Sequence, residues 1–331
     1  MWLLPLLALL GASPWVPTGY VNLNSLYYDL GPQTGMVHAA AVRLKWHLRV
    51  GPFDGKIHGQ AGFLSANALL VPFLTGLDLD TLEPALIHRG TESTAFAYFD
   101  RFALDYAGDR FEVRVGRDRY AWGKARILSV LDRWNPYVPF ALFQDERQGV
   151  NGARVQVFFS GFTWVEGIYT RFRGRDRWGA ALRTTVGAFD VQAVVARDGA
   201  TLFGVAFEGD VFGFGVRGEG IAWRDGPTEY VIGVDRQVTS RFYVMGEYLH
   251  SAGRFYPPGD AVVVSLELEP APLHRIQLGY IRIDPGGTLW SLGYRYSLAT
   301  DWELVVTGIY TTGRGAFGFP RIFGTGLRLD F

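Results

Sequence analysis

Taken two residues at a time, much of this chain separates into an apolar and a polar face. In TLWSLGYRYSL, Trp290, Leu292, Tyr294 and Tyr296 share one face, and Ser291, Gly293, Arg295 and Ser297 share the other. In AAVRLKWHLRV, Val42, Leu44, Trp46, Leu48 and Val50 alternate with Arg43, Lys45, His47 and Arg49. In DAVVVSLELEP, Val262, Val264, Leu266 and Leu268 alternate with Ser265, Glu267 and Glu269. Successive side chains of a strand point to opposite faces, so a period of two predicts strands with one apolar and one polar face. Helical periodicity is nearly absent, and the chain is predicted to be all-β.

Strands of this kind suit a soluble sandwich, with apolar faces meeting in a core, or a membrane barrel, with apolar faces against lipid and polar faces around a lumen. Three features favour the barrel. The predicted strands run about ten to fourteen residues, the length of a tilted crossing strand. Aromatics sit near the ends of the apolar faces, as at Tyr27, Trp46, Trp178 and Trp302, where interfacial girdles form. The connections also alternate. One set is tight, around 52–55, 107–109, 160–161, 187–188, 211–212, 238–239, 270–272 and 300–301. The other is longer or more polar: 31–35, 69–93, 119–149, 173–177, 197–200, 224–227, 251–260, 284–287 and 313–320. This rhythm predicts a transmembrane antiparallel up-and-down β-barrel of about eighteen strands, or sixteen if one has been split too many.

Two connections, about 69–93 and 119–149, are long enough to suggest a function. Both are rich in apolar residues, which places them folded into the lumen rather than in water. Within the first, Leu82 to His88 reads as a short helix, with Thr81 as cap and Gly90 as stop. Within the second, KARILSVLDRW reads as another, stopped by Asn135-Pro136. The GKA inside GRDRYAWGKA is not a phosphate loop: Gly116 and Gly123 are wrongly spaced, and Ala125 stands where a magnesium-binding hydroxyl is required. No G-x-G-x-x-G dinucleotide signature occurs either; GFGVRGEG lies inside an alternating strand.

The same segment resembles bacterial outer-membrane porin-like and export-type barrels through Gly116, Arg117, Arg119, Trp122, Gly123, Asn135 and Pro136, with Arg147 and Gly149 as weaker matches. That resemblance covers about 35 residues closely and the rest as barrel architecture. It implies an inward constriction loop with Arg117, Arg119, Lys124 and Arg126 facing the pore. The parity is at odds with this, because Arg117 and Arg119 fall in phase with apolar Val113 and Val115. Either a bulge shifts the phase or the strand ends at Gly116. The last strand, TGLRLDF, ends on Phe331. In this it resembles outer-membrane proteins as a class, which implies recognition by the barrel-assembly machinery.

The first residues, MWLLPLLALLGASPW, hold an apolar run from Trp2 that ends in Gly11, Ala12 and Ser13. The run is too short to span a bilayer as a helix and fits a secretory leader over residues 1–12, although no Lys or Arg precedes it. The remainder, 13–331, is expected to form one barrel domain in the outer membrane. The 331 residues include 32 basic and 32 acidic side chains and no cysteine. Zero net charge gives no pointer to nucleic acid, and the lack of cysteine excludes disulfides, thiolate zinc sites and thiol catalysis.

If polar faces line a lumen, its charge is uneven. Arg43, Lys45, His47, Arg49 and Lys56, with His58, make a basic ladder. Glu208, Asp210, Glu219, Glu229, Asp235, Glu247, Glu267 and Glu269 make an acidic wall, with Arg217 the main exception. Arg114, Arg117, Arg119, Lys124 and Arg126 complete the candidate pore-lining set. Opposed walls would set a field across the channel; the plainer reading is that such residues pair across strands and fix the barrel's shape. The six histidines show no metal-ligand spacing, although His47 and His58 fall on neighbouring strands, and no G-x-S-x-G elbow exists. No cofactor and no enzyme activity are expected. The expected function is a channel for small hydrophilic or amphipathic solutes, selected by constriction loops and lumenal charge. The alternatives are a barrel that exports or attaches an anionic polysaccharide, and a plugged structural barrel. Outer-membrane lipid and lipopolysaccharide are the expected surroundings, and the pattern leaves monomer and homo-oligomer open.

Overall fold

The computed structural model describes residues 17–29, 34–65, 85–135, 147–172, 174–254, 256–313 and 321–331; the expected leader lies outside them. Nineteen strands form one antiparallel sheet. They are β1 (Thr18–Asp29), β2 (Thr34–Val50), β3 (Phe53–Leu64), β4 (Ala85–Arg89), β5 (Thr94–Ala107), β6 (Phe111–Asp118), β7 (Val150–Phe158), β8 (Trp164–Phe172), β9 (Arg175–Val186) and β10 (Phe189–Asp198). Then follow β11 (Ala200–Val211), β12 (Phe214–Trp223), β13 (Thr228–Thr239), β14 (Phe242–Ser251), β15 (Gly259–Ala271), β16 (His274–Asp284), β17 (Gly287–Ala299), β18 (Trp302–Thr312) and β19 (Arg321–Asp330). Neighbours pair in sequence order except that β3 pairs with β5 and, among the described residues, β4 pairs only with β5, and β1 also pairs with β19, so the sheet closes on itself. At the seam Gly19 and Phe331 exchange both backbone hydrogen bonds, at 2.7 and 3.0 Å.

The alternation seen in the sequence is inverted in space relative to a soluble protein. Phe102, Phe203, Trp290 and Phe323 point outward and are 62, 54, 52 and 55% exposed. Arg43, Asp100, Glu166, Glu219, Glu229 and Glu247 point inward and are at most 4% exposed. A sandwich core would reverse these two sets, so the closed barrel is the architecture.

Eighteen strands make the wall. They run from eight residues in β6 to seventeen in β2, a wider spread than the sequence predicts. The nineteenth, β4, is an insert, and it corrects the helix expected at Leu82 to His88: Ala85–Arg89 is a strand, and 82–84 lie outside the described residues. The reason lies in β5. Its residues Phe102 to Ala107 pair with β6, but its residues Thr94 to Tyr98 pair with β4. Once β6 has left the wall at Asp118, that edge of β5 would expose bare amides and carbonyls, and β4 covers it.

The second predicted helix is also absent. Residues 124–134 follow an irregular path, described below. The rim opposite the tight turns is less uneven than expected as well. The connections at Gly199 and at 285–286 are as tight as those across the barrel.

Near the point where β6 departs, two local features break the regular ladder. β5 carries a bulge, with His58 opposite Arg101 and Gly59 opposite Phe99, so that Asp100 and Arg101 both face inward. In β6, Gly116 has φ +125, and a Cβ there would strike the carbonyl of Phe102. The pairing register of β6 nonetheless continues through Asp118. Arg117 stays in the outward register, opposite Phe102 and Asn151, yet it is buried. The register does not shift, but Arg117 and Asp118 are both buried, so the alternation of exposed and buried side chains stops at Gly116.

Gly116→Val should lower the midpoint of chemical unfolding by an amount equivalent to about 1–3 kcal/mol, read from the loss of the compact form on unheated gels. A valine at neighbouring Val115 is native, so Val115→Ala serves as the mild comparison.

Candidate functional site

After Asp118 the chain turns into the lumen. Tyr120, Trp122, Leu128, Val130, Leu131 and Trp134 are all buried there. They join a continuous apolar cluster with inward residues of the β8–β14 wall, among them Ile168, Ala181, Val194, Leu202, Ile221 and Leu249. Trp122 and Trp134 meet edge to face at 5.2 Å. The wall makes room with glycine. A Cβ at Gly179 would stand 2.8 Å from the Trp122 ring, and one at Gly204 would stand 2.6 Å from Leu131. Fully burying a side chain of this size is worth about 2–3 kcal/mol, so the segment has reason to lie on this wall.

Its backbone is held by two carboxylates. Glu219 Oε1 accepts the amides of Lys124 and Ala125, the latter at 2.6 Å. Glu219 Oε2 accepts the Ser129 hydroxyl at 2.8 Å and the amides of Val130 and Leu131 at 3.0 Å. Glu247 accepts the amides of Arg126 at 2.6 Å, Ile127 at 3.0 Å and Leu128 at 3.1 Å. Seven amides and one hydroxyl of 124–131 thus converge on two side chains. In a helix the amides beyond its first turn would bond carbonyls four residues back; here charged acceptors from β12 and β14 outbid them. This is the physical reason that the predicted helix does not form.

The ends of the segment are fixed too. Tyr120 N donates to Asn135 Oδ1 at 2.8 Å, and Asn135 Nδ2 donates to the Gln148 carbonyl at 2.7 Å. Trp122 Nε1 donates to Glu166. Asp132 forms ion pairs with Arg147 and, at 3.4 Å, with Arg119. Burial, and next the charge of Asp118, raise the Tyr120 hydroxyl above its ordinary value, so it stays neutral and donates to the Gly116 carbonyl at 2.8 Å.

The basic ladder meets acids that the sequence reading did not assign. Arg43 pairs with Asp100 and donates to Gln60 at 3.2 Å. Asp100 also accepts Gly149 N at 3.0 Å and lies 2.9 Å from Arg101, so it ties the returning loop to the wall. Lys56 contacts Asp105 at 2.5 Å and Asp118 at 3.8 Å. Arg114 reaches the same two carboxylates at 2.5 and 3.0 Å. Lys45 lies over the Tyr20 ring at 5.8 Å, and Arg49, which is exposed, is 3.9 Å from Asp54. His47 and His58 face each other, Nε2 to Nε2, at 2.9 Å. Asp100 and Arg101 were hidden in the sequence by the bulge; the signal was the spacing of three between outward Phe99 and Phe102, where period two requires an even number.

The acidic wall divides by role. Glu219 and Glu247 hold the inward loop. Glu229 holds the β14–β15 connection by accepting the amides of Ala252 at 3.1 Å and Arg254 at 3.3 Å. Asp235 pairs with Arg217, Glu208 with Lys124, and Glu267 lies 3.3 Å from Arg275. Arg126 gives its backbone to Glu247 and leaves its side chain exposed. Arg275, Arg295 with Glu303 at 3.8 Å, and Arg328 with Asp330 at 2.8 Å add ion pairs that sequence reasoning missed, all near the turn rim of β15–β19.

A different set of inward side chains lines β1–β3, β5 and β16–β19. Near the loop rim, Leu26, Val37, Leu64, Phe96, Ile281, Leu289, Ile309 and Ile322 form a buried apolar belt. Below it several inward positions are small, Ala39, Ala41, Gly279, Gly293, Gly324 and Gly326, with Asn24, Gln277 and Val305 among their inward neighbours. Charged pairs follow at the turn rim. No three His, Asp or Glu side chains gather in a metal-holding cluster among the described residues.

No family model matches this chain, and no curated protein is similar to it in sequence. Solved structures are similar in fold. Acinetobacter baumannii OccAB4 aligns with a TM-score of 0.63 at 10% identity, over 95% of this chain and 98% of that one. Pseudomonas aeruginosa OccD3 (OpdP) aligns at 0.56 and 9% identity, over 97 and 93%. A mutant of the Rh. blastica porin aligns at 0.51 and 12% identity, over 96 and 100%.

If the carboxylates pin the loop, Glu219→Ala will accelerate hydrogen–deuterium exchange in peptides covering 124–131 by about tenfold or more and leave strand peptides protected. Glu219→Gln keeps an acceptor without its charge and should fall between. Unchanged exchange in both variants would show that apolar packing alone holds the loop.

Proposed function

We propose that this barrel is an outer-membrane channel for passive diffusion of small amphipathic or hydrophilic solutes. The observation that carries the reading is a polar, ion-paired interior inside an apolar outer wall, with a folded segment fixed against one side of the lumen. In hydrocarbon every backbone polar group needs an internal partner, which a closed barrel supplies. An outward face bearing Phe203, Trp290 and Phe323 suits lipid, and charge on the inner face tunes selectivity at low cost. The porin among the similar structures supports the same reading through fold.

The lumen sorts by chemistry along its length. A solute would meet an apolar belt near the loop rim and paired charges near the turn rim. An amphipathic solute with one charged group satisfies both zones, whereas a polyanion would meet an interrupted conduit. The belt, buried around its circumference, also favours a second reading, a plugged barrel without transport. Of the candidate pore residues, Arg49 is the cation best placed to act on ions, since its side chain is exposed and lies 3.9 Å from Asp54, and Lys45 stands four residues before it on the same inward face. Arg43, Lys56 and Arg114 set the wall's shape through their carboxylates. The Phe331 terminus, bonded to Gly19, fits a role for the last strand in closing the barrel during assembly.

Single-channel recording in planar bilayers tests this directly. Discrete conductance steps are expected. Lys45→Glu combined with Arg49→Glu should raise the cation-over-anion permeability ratio about twofold or more. Silence across a range of voltages and solutes would leave the plugged barrel as the correct reading.

A further inference from the structure

The outer wall carries a built surface at the loop rim of β16–β19. Tyr280, Trp290 and Tyr310 lie opposite one another on one outward rung, continued by Arg321. Tyr280 and Trp290 are 4.5 Å apart by ring centroid, and the Arg321 guanidinium lies 5.7 Å from the Tyr310 centroid. The next rung toward the loop rim holds Arg282, Thr288 and Thr312. The two threonine hydroxyls are 2.5 Å apart. Trp290, Tyr310, Phe323, Arg282 and Arg321 are all exposed. Arg282 and two hydroxyls thus stand one rung above the aromatics and Arg321 stands beside them, on a face whose lower rungs are apolar.

From this arrangement we propose that β16–β19 form a docking surface for a lipid whose headgroup bears two phosphates. Aromatic rings settle where acyl chains give way to headgroups, and guanidinium forks match phosphate oxygens. Arg282 and Arg321 are three strands apart, roughly 14 Å or more at the usual strand spacing. A glycerophospholipid with one phosphate engages one of them. A headgroup with a phosphate at each end of a disaccharide engages both, with Thr288 and Thr312 beneath the sugar. Asp284, two residues beyond Arg282, and Asp29, opposite Arg321 on β1, are acids on the same edge, so the match is to separate phosphates that compete with these carboxylates and not to a uniformly anionic surface. The inference rests on the membrane placement proposed above but not on conduction.

Native mass spectrometry of the full-length barrel, released from detergent in the presence of bisphosphorylated lipid A, tests it. Retention of lipid A is expected, about tenfold weaker in Arg282→Ser/Arg321→Ser and unchanged in Arg236→Ser, a control that removes an outward arginine near the opposite rim. Phosphatidylglycerol and enzymatically dephosphorylated lipid A should bind weakly to all three proteins. Equal retention by the double variant, or equal retention of dephosphorylated lipid A, would overturn the proposal. Unfolded variants are excluded by requiring the compact band on unheated gels, with Arg282→Lys/Arg321→Lys retaining intermediate binding. A barrel that binds lipid A yet never conducts would contradict the channel and leave this surface standing.

Discussion

Everything in this fold depends on the pairing of its first wall strand with its last. A sheet with an apolar outer face and open edges would present two rows of unpaired amides and carbonyls to surroundings that cannot bond them. Pairing β1 with β19 removes both edges at once, down to the bonds between Gly19 and Phe331. With the edges gone, polar side chains can face inward and aromatic ones outward. The same requirement reappears in miniature at β5, where β6 leaves the wall and the five-residue β4 takes over its bonding edge.

The interior follows a different rule. A lumen enclosed by charged walls has to neutralise its own field, and most of its cations are answered by carboxylates on adjoining strands. What distinguishes Glu219 and Glu247 is that they answer backbone rather than cations. They convert a segment with helical sequence character into a tight wrap around two anions, and the wrap brings Trp122, Leu131 and Trp134 onto the apolar wall. The loop is therefore held twice, by polar bonds at its backbone and by burial of its side chains.

How much of this was legible in the sequence depends on range. Period two showed the strands, the tight turns and the wall count, because each depends on residues a few positions apart. The alternating residues of 42–50, 262–268 and 290–296 all take the faces their parity assigns. The segment 124–134 was read as a helix because its acceptors come from 88 to 121 residues away, beyond any local pattern. Ala85–Arg89 was misread for a similar reason, since what makes it a strand is a gap left by β6. Asp100 escaped notice because a bulge moved it into phase with the lumen. Arg117 was assigned to the pore on a resemblance; its register falls in step with outward Phe102, yet its side chain is buried. The basic ladder was visible, but its partners Asp100, Asp105 and Asp118 became apparent only once β3, β5 and β6 lay side by side.

The way the inward loop is anchored reads few of its side chains. Apart from the Ser129 hydroxyl, Glu219 and Glu247 take hold of amide nitrogens, which every residue but proline possesses. Lys124, Arg126 and Ile127 could be exchanged for other residues without loosening either carboxylate's grip. A barrel built this way separates the scaffold of its inward loop from the identity of the groups displayed there. Variation at those positions could change what the loop presents while the wall that holds it stays fixed.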